Sequence, residues 1–141
     1  MLTIIGTGHA GITLARELRK LHKDAPLRLI TQDDGAYYYK PDLSKSLQAG
    51  KDADALIKTT AEALRTELNA EILTHTTVTA IHPTQHTVQV GEHTLPYSKL
   101  VLAVGAGQFK LPLTGDAAHE VLTVNDRLDY ARFRVALPAG G

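Results

Sequence analysis

The sequence predicts an α/β fold, a parallel sheet flanked by helices and joined to a three-stranded antiparallel meander, and three observations predict it. A short apolar run ends in glycine and is followed by a helix-period stripe and a second apolar run, which gives a β-α-β order. Further short β-rich runs are punctuated by turn residues in the second half of the chain. The composition, 43% hydrophobic over 141 residues, fits one compact domain with one core rather than a large two-domain enzyme.

Leu2–Ile5 is wholly apolar and stops at Gly6, the pattern of a buried parallel strand covered on both faces. From Ala10 onward, Ala10, Leu14, Leu18 and Leu21 recur at helical spacing and Ala15 widens the stripe. Arg16, Glu17, Arg19 and Lys20 take the other face. This predicts an amphipathic helix of roughly 12–14 residues. Pro26 bars its continuation, and Leu27–Thr31 reads as the next strand, completing a β-α-β unit in about thirty residues.

Asp33-Asp34-Gly35 is a turn, and the stretch from Tyr37 to Gly50 has no clear period. Thr59-Thr60-Ala61-Glu62 matches a capping box, so a helix is predicted to about Asn69 with Ala61, Leu64 and Leu68 inward. Three strands follow, Glu71–Ala80, Thr87–Val90 and His93–Leu95, with Gly91-Glu92 as a hairpin turn between the last two. Lys99–Val104 is another apolar strand, stopped by Gly105-Ala106-Gly107. Pro112, Gly115 and Asp116 mark a linker. Asn125–Ala136 reads as a helix capped by Asn125 or Asp126, with Leu128, Ala131 and Val135 on one side, and Pro138-Ala139-Gly140-Gly141 is a breaker tail.

Composition excludes several classes of function. Lys plus Arg and Asp plus Glu each number 15, so no net field steers the chain to nucleic acid or an anionic membrane surface. Five Tyr, two Phe and no Trp make a base-stacking platform improbable. Without cysteine, these residues hold no disulfide, thiolate metal site or redox-active thiol pair. No apolar run approaches the ~18 residues of a membrane span, and the first residues lack a secretory pattern, so a cytoplasmic location is the default expectation. His82 and His86 flank Pro83 in a non-helical stretch, and His75, His93 and His119 have no metal-ligand spacing; surface histidines are the expectation. Ser44 and Ser98 lack a nucleophile elbow.

Gly6-Thr7-Gly8-His9-Ala10-Gly11 is a G-x-G-x-x-G loop, and its place between an apolar strand and an amphipathic helix gives the pattern its meaning. Gly6 permits the sharp exit from the strand, a bare Gly8 lets a pyrophosphate approach the backbone, and Gly11 lets helix and strand pack closely. The helix start then offers unsatisfied N–H groups and a positive dipole end to a diphosphate. The expectation is a Rossmann-like unit holding the ADP half of a dinucleotide. Its ribose partner belongs about 20 residues on, where the chain has Thr31, Gln32, Asp33 and Asp34. Either Asp33 meets a 2′-hydroxyl, or Gln32 and backbone hold the ribose, or Asp33-Asp34-Gly35 is only a turn. No arginine follows the strand directly, which disfavours a 2′-phosphate.

With these residues in view, the chain resembles the N-terminal part of the FAD-dependent pyridine-nucleotide oxidoreductases, and most closely the rubredoxin–NAD reductases among them. The pieces that carry the resemblance are Ile4 to Gly11, Leu14-Ala15-Arg16-Glu17-Leu18-Arg19-Lys20-Leu21, Leu29 to Gly35, and Tyr38-Tyr39-Lys40-Pro41-Asp42-Leu43-Ser44-Lys45. Leu68 to Val78, Leu100 to Ala106, Asn125-Asp126 and Asp129 to Arg134 continue it in one order along nearly the whole chain. The resemblance implies an FAD/NAD(P)-binding fold in which Thr7, Gly8, His9 and Ala10 line the FAD pyrophosphate and Thr31 and Gln32 meet the adenosine ribose. It places Lys40 as a basic residue near the cofactor, Lys45 near the isoalloxazine ring, and the backbone of Val78 beside the adenine. A cation at Lys45 could stabilise negative charge on reduced flavin; the bland alternative makes Lys40 and Lys45 solvated loop lysines. The run Tyr37-Tyr38-Tyr39 could pack against a flavin or staple a loop.

Two departures from the family pattern stand out. Ala103-Val104-Gly105 replaces Ala-Thr-Gly, a mild change. The family also continues into a second glycine fingerprint for NAD(P)H and a returning segment that completes the FAD domain, whereas this chain ends at Gly141. The expectation is therefore an incomplete fold. Residues 1–115 form the first segment of a discontinuous FAD-binding domain, and residues 116–141 form a linker and the start of an NAD-binding domain. In the longer parent, electrons would pass from NAD(P)H through FAD to rubredoxin or a similar carrier. This chain alone would bind FAD weakly or not at all, would not oxidise NADH, and would self-associate through an open sheet edge. A different class remains open, a stand-alone NAD- or ADP-binding module without catalysis.

Overall fold

A computed structural model describes residues 1–109 and 111–137, so the breaker tail Pro138-Ala139-Gly140-Gly141 lies outside the described residues. The chain divides into two compact units, one of residues 1–38 and 58–105, the other of residues 39–57 and 106–141.

The first unit is built on a four-stranded parallel sheet in the order β3-β2-β1-β7. Its strands are β1 (Leu2–Ile5), β2 (Leu27–Ile30), β3 (Glu71–Leu73) and β7 (Lys99–Leu102). Register sets Ile4 between Leu29 and Val101, with Ile72 beyond Leu29, so one face of the sheet is a continuous apolar row. Helices α1 (His9–Leu21) and α3 (Ala61–Leu68) contribute Ile12, Ala15, Leu64 and Leu68 to the same cluster as Ile4, Leu27, Leu29 and Ile72. Each such side chain taken out of water contributes about 1.5–3 kcal/mol. Thr3, on the opposite side of β1 from Ile4, is also fully buried, which confirms that both faces of the first strand are covered.

An antiparallel meander of β4 (Val78–His82), β5 (Thr87–Val90) and β6 (His93–Pro96) completes this unit, with Gly91 at positive φ in the β5–β6 turn. Arg28 joins the two sheets, pairing with Glu71 at 2.6 Å and donating to the Pro96 carbonyl at 3.3 Å.

Several expectations about individual elements need correction. Glu71–Ala80 is two strands in different sheets. After Leu73 the chain turns through His75 at φ 50°, and the Thr76 amide bonds back to Thr31 at 2.9 Å before β4 begins. The buried face of α1 is Gly11, Ile12 and Ala15, with Leu18 packed against the core; Ala10, Leu14 and Leu21 are exposed, the stripe being rotated so that Gly11 faces the Gly6 carbonyl and Ile12 joins the cluster on the sheet. The cap of α3 is Thr60, whose hydroxyl accepts from the Ala63 amide at 3.3 Å, so Thr59 and Glu62 form no capping box. Strand β7 ends at Leu102 and not at Val104.

In the second unit the stretch without period forms a 3-10 turn at Lys40–Asp42, the short helix α2 (Leu43–Ser46) and a second 3-10 turn at Asp54–Leu56. Helix α4 (Arg127–Ala136) starts at Asp126, and a full capping box pairs Asp126 with Asp129. Its buried residues are Arg127 and Tyr130, while Val135 and Leu128 are exposed, contrary to the apolar side read from the sequence. Tyr130 can sit inside because its hydroxyl donates to the Lys51 carbonyl at 2.7 Å, and Arg127 because its guanidinium pairs with Asp54 at 2.9 Å.

Candidate functional site

The parallel strands β1 and β2 end side by side, and the glycine loop begins there. Gly6 donates to the Ile30 carbonyl at 2.8 Å and turns at φ +109°; a Cβ on it would lie 2.3 Å from the Ala103 carbonyl oxygen. A Cβ on Gly11 would lie 2.1 Å from the Gly6 carbonyl oxygen, so the helix reaches the loop only because Gly11 has none. Gly8 differs from both. It is exposed and extended, and a Cβ there would meet nothing within 4 Å. That open side borders the start of α1, where the first intrahelical bond runs from the Ile12 amide to the Gly8 carbonyl at 3.0 Å.

Among the described residues no side chain caps this helix start, and no acidic residue stands in its first turn. First-turn amides have no intrahelical acceptor, so the seat offers N–H donors and a positive dipole end to an anion. Bulk excluded at Gly8, amides uncapped and no competing carboxylate are what a diphosphate requires, and the residues present fit one. Thr7 is buried, while His9 and Ala10 are exposed at the rim.

Thr31, Gln32 and Asp33 follow β2 in the same unit. The Thr31 hydroxyl donates to Asp33 Oδ1 at 2.7 Å, and the Gly35 amide donates to that same oxygen at 2.9 Å. The Asp33 carbonyl accepts from the His75 amide at 2.8 Å. Asp33 therefore builds the turn with at least one carboxylate oxygen, whereas Gln32 is exposed beside it. Val78 opens β4 opposite Val90, two residues beyond the Thr76–Thr31 bond. The glycine loop, the β2 exit and the start of the meander are thus gathered at the carboxyl ends of parallel strands, where ligands of open α/β sheets bind.

Sequence reasoning left Tyr37 undecided and put Arg16 on the face of α1 opposite the apolar stripe. In the structure Tyr37 staples the loop. Its amide donates to the Thr59 carbonyl at 2.8 Å, its hydroxyl lies 3.1 Å from His9 Nδ1, and the two rings stack at 6.4 Å. The Arg16 guanidinium sits 5.0 Å from the Tyr37 ring centre and forms a bidentate pair with Glu67 at 2.6 and 3.1 Å. The hydrogen bond from Arg16 holds the Glu67 carboxyl below its ordinary range, and the same bond raises Arg16. No short-range pattern reveals such a contact, since Arg16 and Glu67 meet only when α1 packs beside α3.

Lys40 and Lys45 belong to the second unit. Lys40 donates to Asn125 Oδ1 at 2.8 Å and lines a cleft of about 450 Å³ with Ser44, Asn125, Tyr130 and Phe133. Lys45 is exposed on α2. Among the described residues no three His, Asp or Glu side chains gather as a metal would need, and no helix is long and apolar enough to cross a membrane.

The sequence pattern of the pyridine nucleotide-disulphide oxidoreductases matches residues 1–136. The chain is 44% identical over 136 residues to the rubredoxin-NAD(+) reductase of Alcanivorax borkumensis, covering 96% of this chain and 36% of that protein. It is 43% identical to the rubredoxin-NAD(+) reductase of Acinetobacter baylyi, covering 94% of this chain and 35% of that one. The structure of a covalent putidaredoxin reductase–putidaredoxin complex superposes with a TM-score of 0.76 at 31% identity, over 94% of this chain and 33% of that chain. The chain thus spans about a third of the length of the curated relatives it matches.

Proposed function

Because the chain belongs to the pyridine nucleotide-disulphide oxidoreductase family, we propose that it binds FAD as the cofactor-holding part of a reductase that passes electrons from NAD(P)H to rubredoxin or a similar carrier. The observation that carries the reading is the uncapped start of α1 beside the open side of Gly8. The family uses FAD and NAD(P)H, and the ADP half of FAD presents the diphosphate this seat fits. Although the family takes part of its name from disulphide chemistry, these 141 residues contain no cysteine, so a thiol pair here plays no part.

In this reading the amides from Thr7 to Ala10 bind the diphosphate, Gln32 and the backbone at Thr31 meet the ribose, and the Val78 backbone borders the adenine. Asp33 orders the turn that presents them. For Lys40 and Lys45 the proposal keeps the roles that the resemblance implies, a basic residue near the cofactor and a cation near the flavin ring. Residues 1–115 would be the first segment of the FAD domain and residues 116–141 the passage to a nicotinamide-binding part, in a cytoplasmic protein. Bound FAD supplies the redox chemistry, accepting two electrons from NAD(P)H and releasing them singly. The chain's own residues bind and orient it.

Calorimetric titration of this chain with FAD, ADP and NAD tests the proposal. Weak, saturable binding of FAD and ADP, lost on Gly8→Val with the fold intact by circular dichroism, is the expected result. Preference for NAD over both would instead support a stand-alone nucleotide-binding module, and indifference of Gly8→Val would remove the seat from the reading.

A further inference from the structure

We propose that this chain forms a closed two-fold dimer, in which β7 pairs antiparallel with the β7 of a second copy about Val101. The two sheets have their edges at β3, β7, β4 and β6, and all but β7 carry a feature that blocks further pairing. In β3 the Leu73 carbonyl accepts from the Thr31 amide at 2.9 Å, so Leu73 and, by alternation, Glu71 face β2, and Ile72 alone faces outward. The Arg65 guanidinium takes that outward carbonyl, donating to it at 2.8 and 3.3 Å, while Glu62 holds Arg65 at 2.9 Å. Strand β4 has a register shift between Val78 and Ala80. Strand β6 ends at Pro96, which has no amide to donate and whose carbonyl accepts from Arg28. Among the described residues β7 has no such plug, bulge or proline, and its one charge, Lys99, stands at its first position.

The register follows from the backbone. The Ala103 amide donates to the Ile5 carbonyl at 2.8 Å, so alternation aims the backbone of Val101 at β1 and that of Leu100 and Leu102 outward. About a two-fold axis at Val101, Leu100 of each copy faces Leu102 of the other, and every outward amide and carbonyl of the strand meets another. Centring on Leu100 or Leu102 would instead set outward groups against Ser98 or Val104, outside the strand. The Val101 register also covers the exposed Leu102 with a leucine and places Lys99 opposite Ala103, so no like charges face each other. The edge is thus its own complement in hydrogen bonding and in side chains, which makes a second copy the partner. So short a strand buries a small interface, and the dimer is weak. It is closed because the β3 edge is plugged and pairing cannot propagate through the sheet.

The test follows the 141-residue chain by sedimentation equilibrium over a concentration series. The apparent mass should rise toward twice that of one chain and no further. Arg65→Ala, which frees the Ile72 carbonyl, should add species beyond the dimer. The sequence has no cysteine, so Val101→Cys reads the register. Its thiols would face each other across the axis at the ~4.5 Å Cα spacing of a non-hydrogen-bonded pair, and mild oxidation should link them. Leu100→Cys and Leu102→Cys should each link slowly alone and readily when mixed. Leu102→Pro removes an outward amide that β1 does not use and should leave a monomer with native circular dichroism; if that variant unfolds, the cysteine pattern still decides. A wild type that stays monomeric throughout or grows past the dimer overturns the proposal, as does Leu100→Cys alone linking as fast as Val101→Cys. An Arg65→Ala chain that stops at the dimer overturns the closure by Arg65.

Discussion

Gly8 and Gly11 belong to one motif, but their surroundings ask different things of them. The Gly8→Ala side chain would enter open space on an extended backbone, so stability should change by less than about 1 kcal/mol, the scale of N-cap preferences. The same methyl would stand in the path of a diphosphate, and ADP binding should fall sharply; thermal melts and calorimetry on one variant separate the two effects. Gly11→Ala sets a methyl 2.1 Å from the Gly6 carbonyl and should cost about 1–3 kcal/mol or more in chemical denaturation. Thr3 offers a change of the opposite sign. Its hydroxyl is buried and, among the described residues, has no hydrogen-bond partner, so Thr3→Val should raise stability by about 1 kcal/mol in a urea titration.

Among the elements, α1 and α3 are tied across their outer surfaces by Arg16 and Glu67, whose side chains are 34% and 41% exposed. Solvent screening at that exposure keeps the pair below about 1 kcal/mol, and Glu67→Gln should cost no more than that near neutral pH. The sign of its pH dependence follows from the depressed carboxyl. A folded-state value below the unfolded one stabilises above the unfolded value and is lost as pH falls through the folded one. The gap between wild type and Glu67→Gln should therefore close in acid, and denaturation at a series of pH values reads it. The start of α3 offers a second test. Thr60→Ala should cost about 1 kcal/mol and Thr59→Ala should leave the cap intact, because only the Thr60 hydroxyl accepts an amide. The T-x-x-E pattern pointed to Thr59 because capping boxes are read from spacing alone, whereas the backbone enters the helix one residue later, after the Thr59 carbonyl has paired with Tyr37.

At the scale of the molecule, β7 is bonded to β1 on one side and, among the described residues, to no strand on the other, while Leu102 at its end is 59% exposed. An open edge of this kind templates pairing, so sedimentation of the purified chain should show concentration-dependent association that Leu102→Lys reduces. The order strand, glycine loop, helix, strand was legible in the sequence, as was the meander. Those follow from local rules: apolar runs, helical spacing, and glycines whose task depends on immediate neighbours. That Ile12 rather than Ala10 and Leu14 joins Ala15 and Leu18 on the inner face of α1, where Glu71–Ala80 breaks into two sheets, and why Tyr130 and Arg127 rather than Leu128 and Val135 turn inward on α4 were not legible. Each depends on a partner distant in the chain, Ile4 and Leu29 for α1, Thr31 for the break after Leu73, and Lys51 and Asp54 for α4. The sequence by itself determined the element order and the glycine loop at the end of the first strand, because short-range sterics and hydrogen-bond supply specify both. Only the tertiary structure decided the brace of Glu67, Arg16 and Tyr37 behind His9, because its members, 21 to 51 positions apart along its successive links, meet through packing that no local pattern encodes.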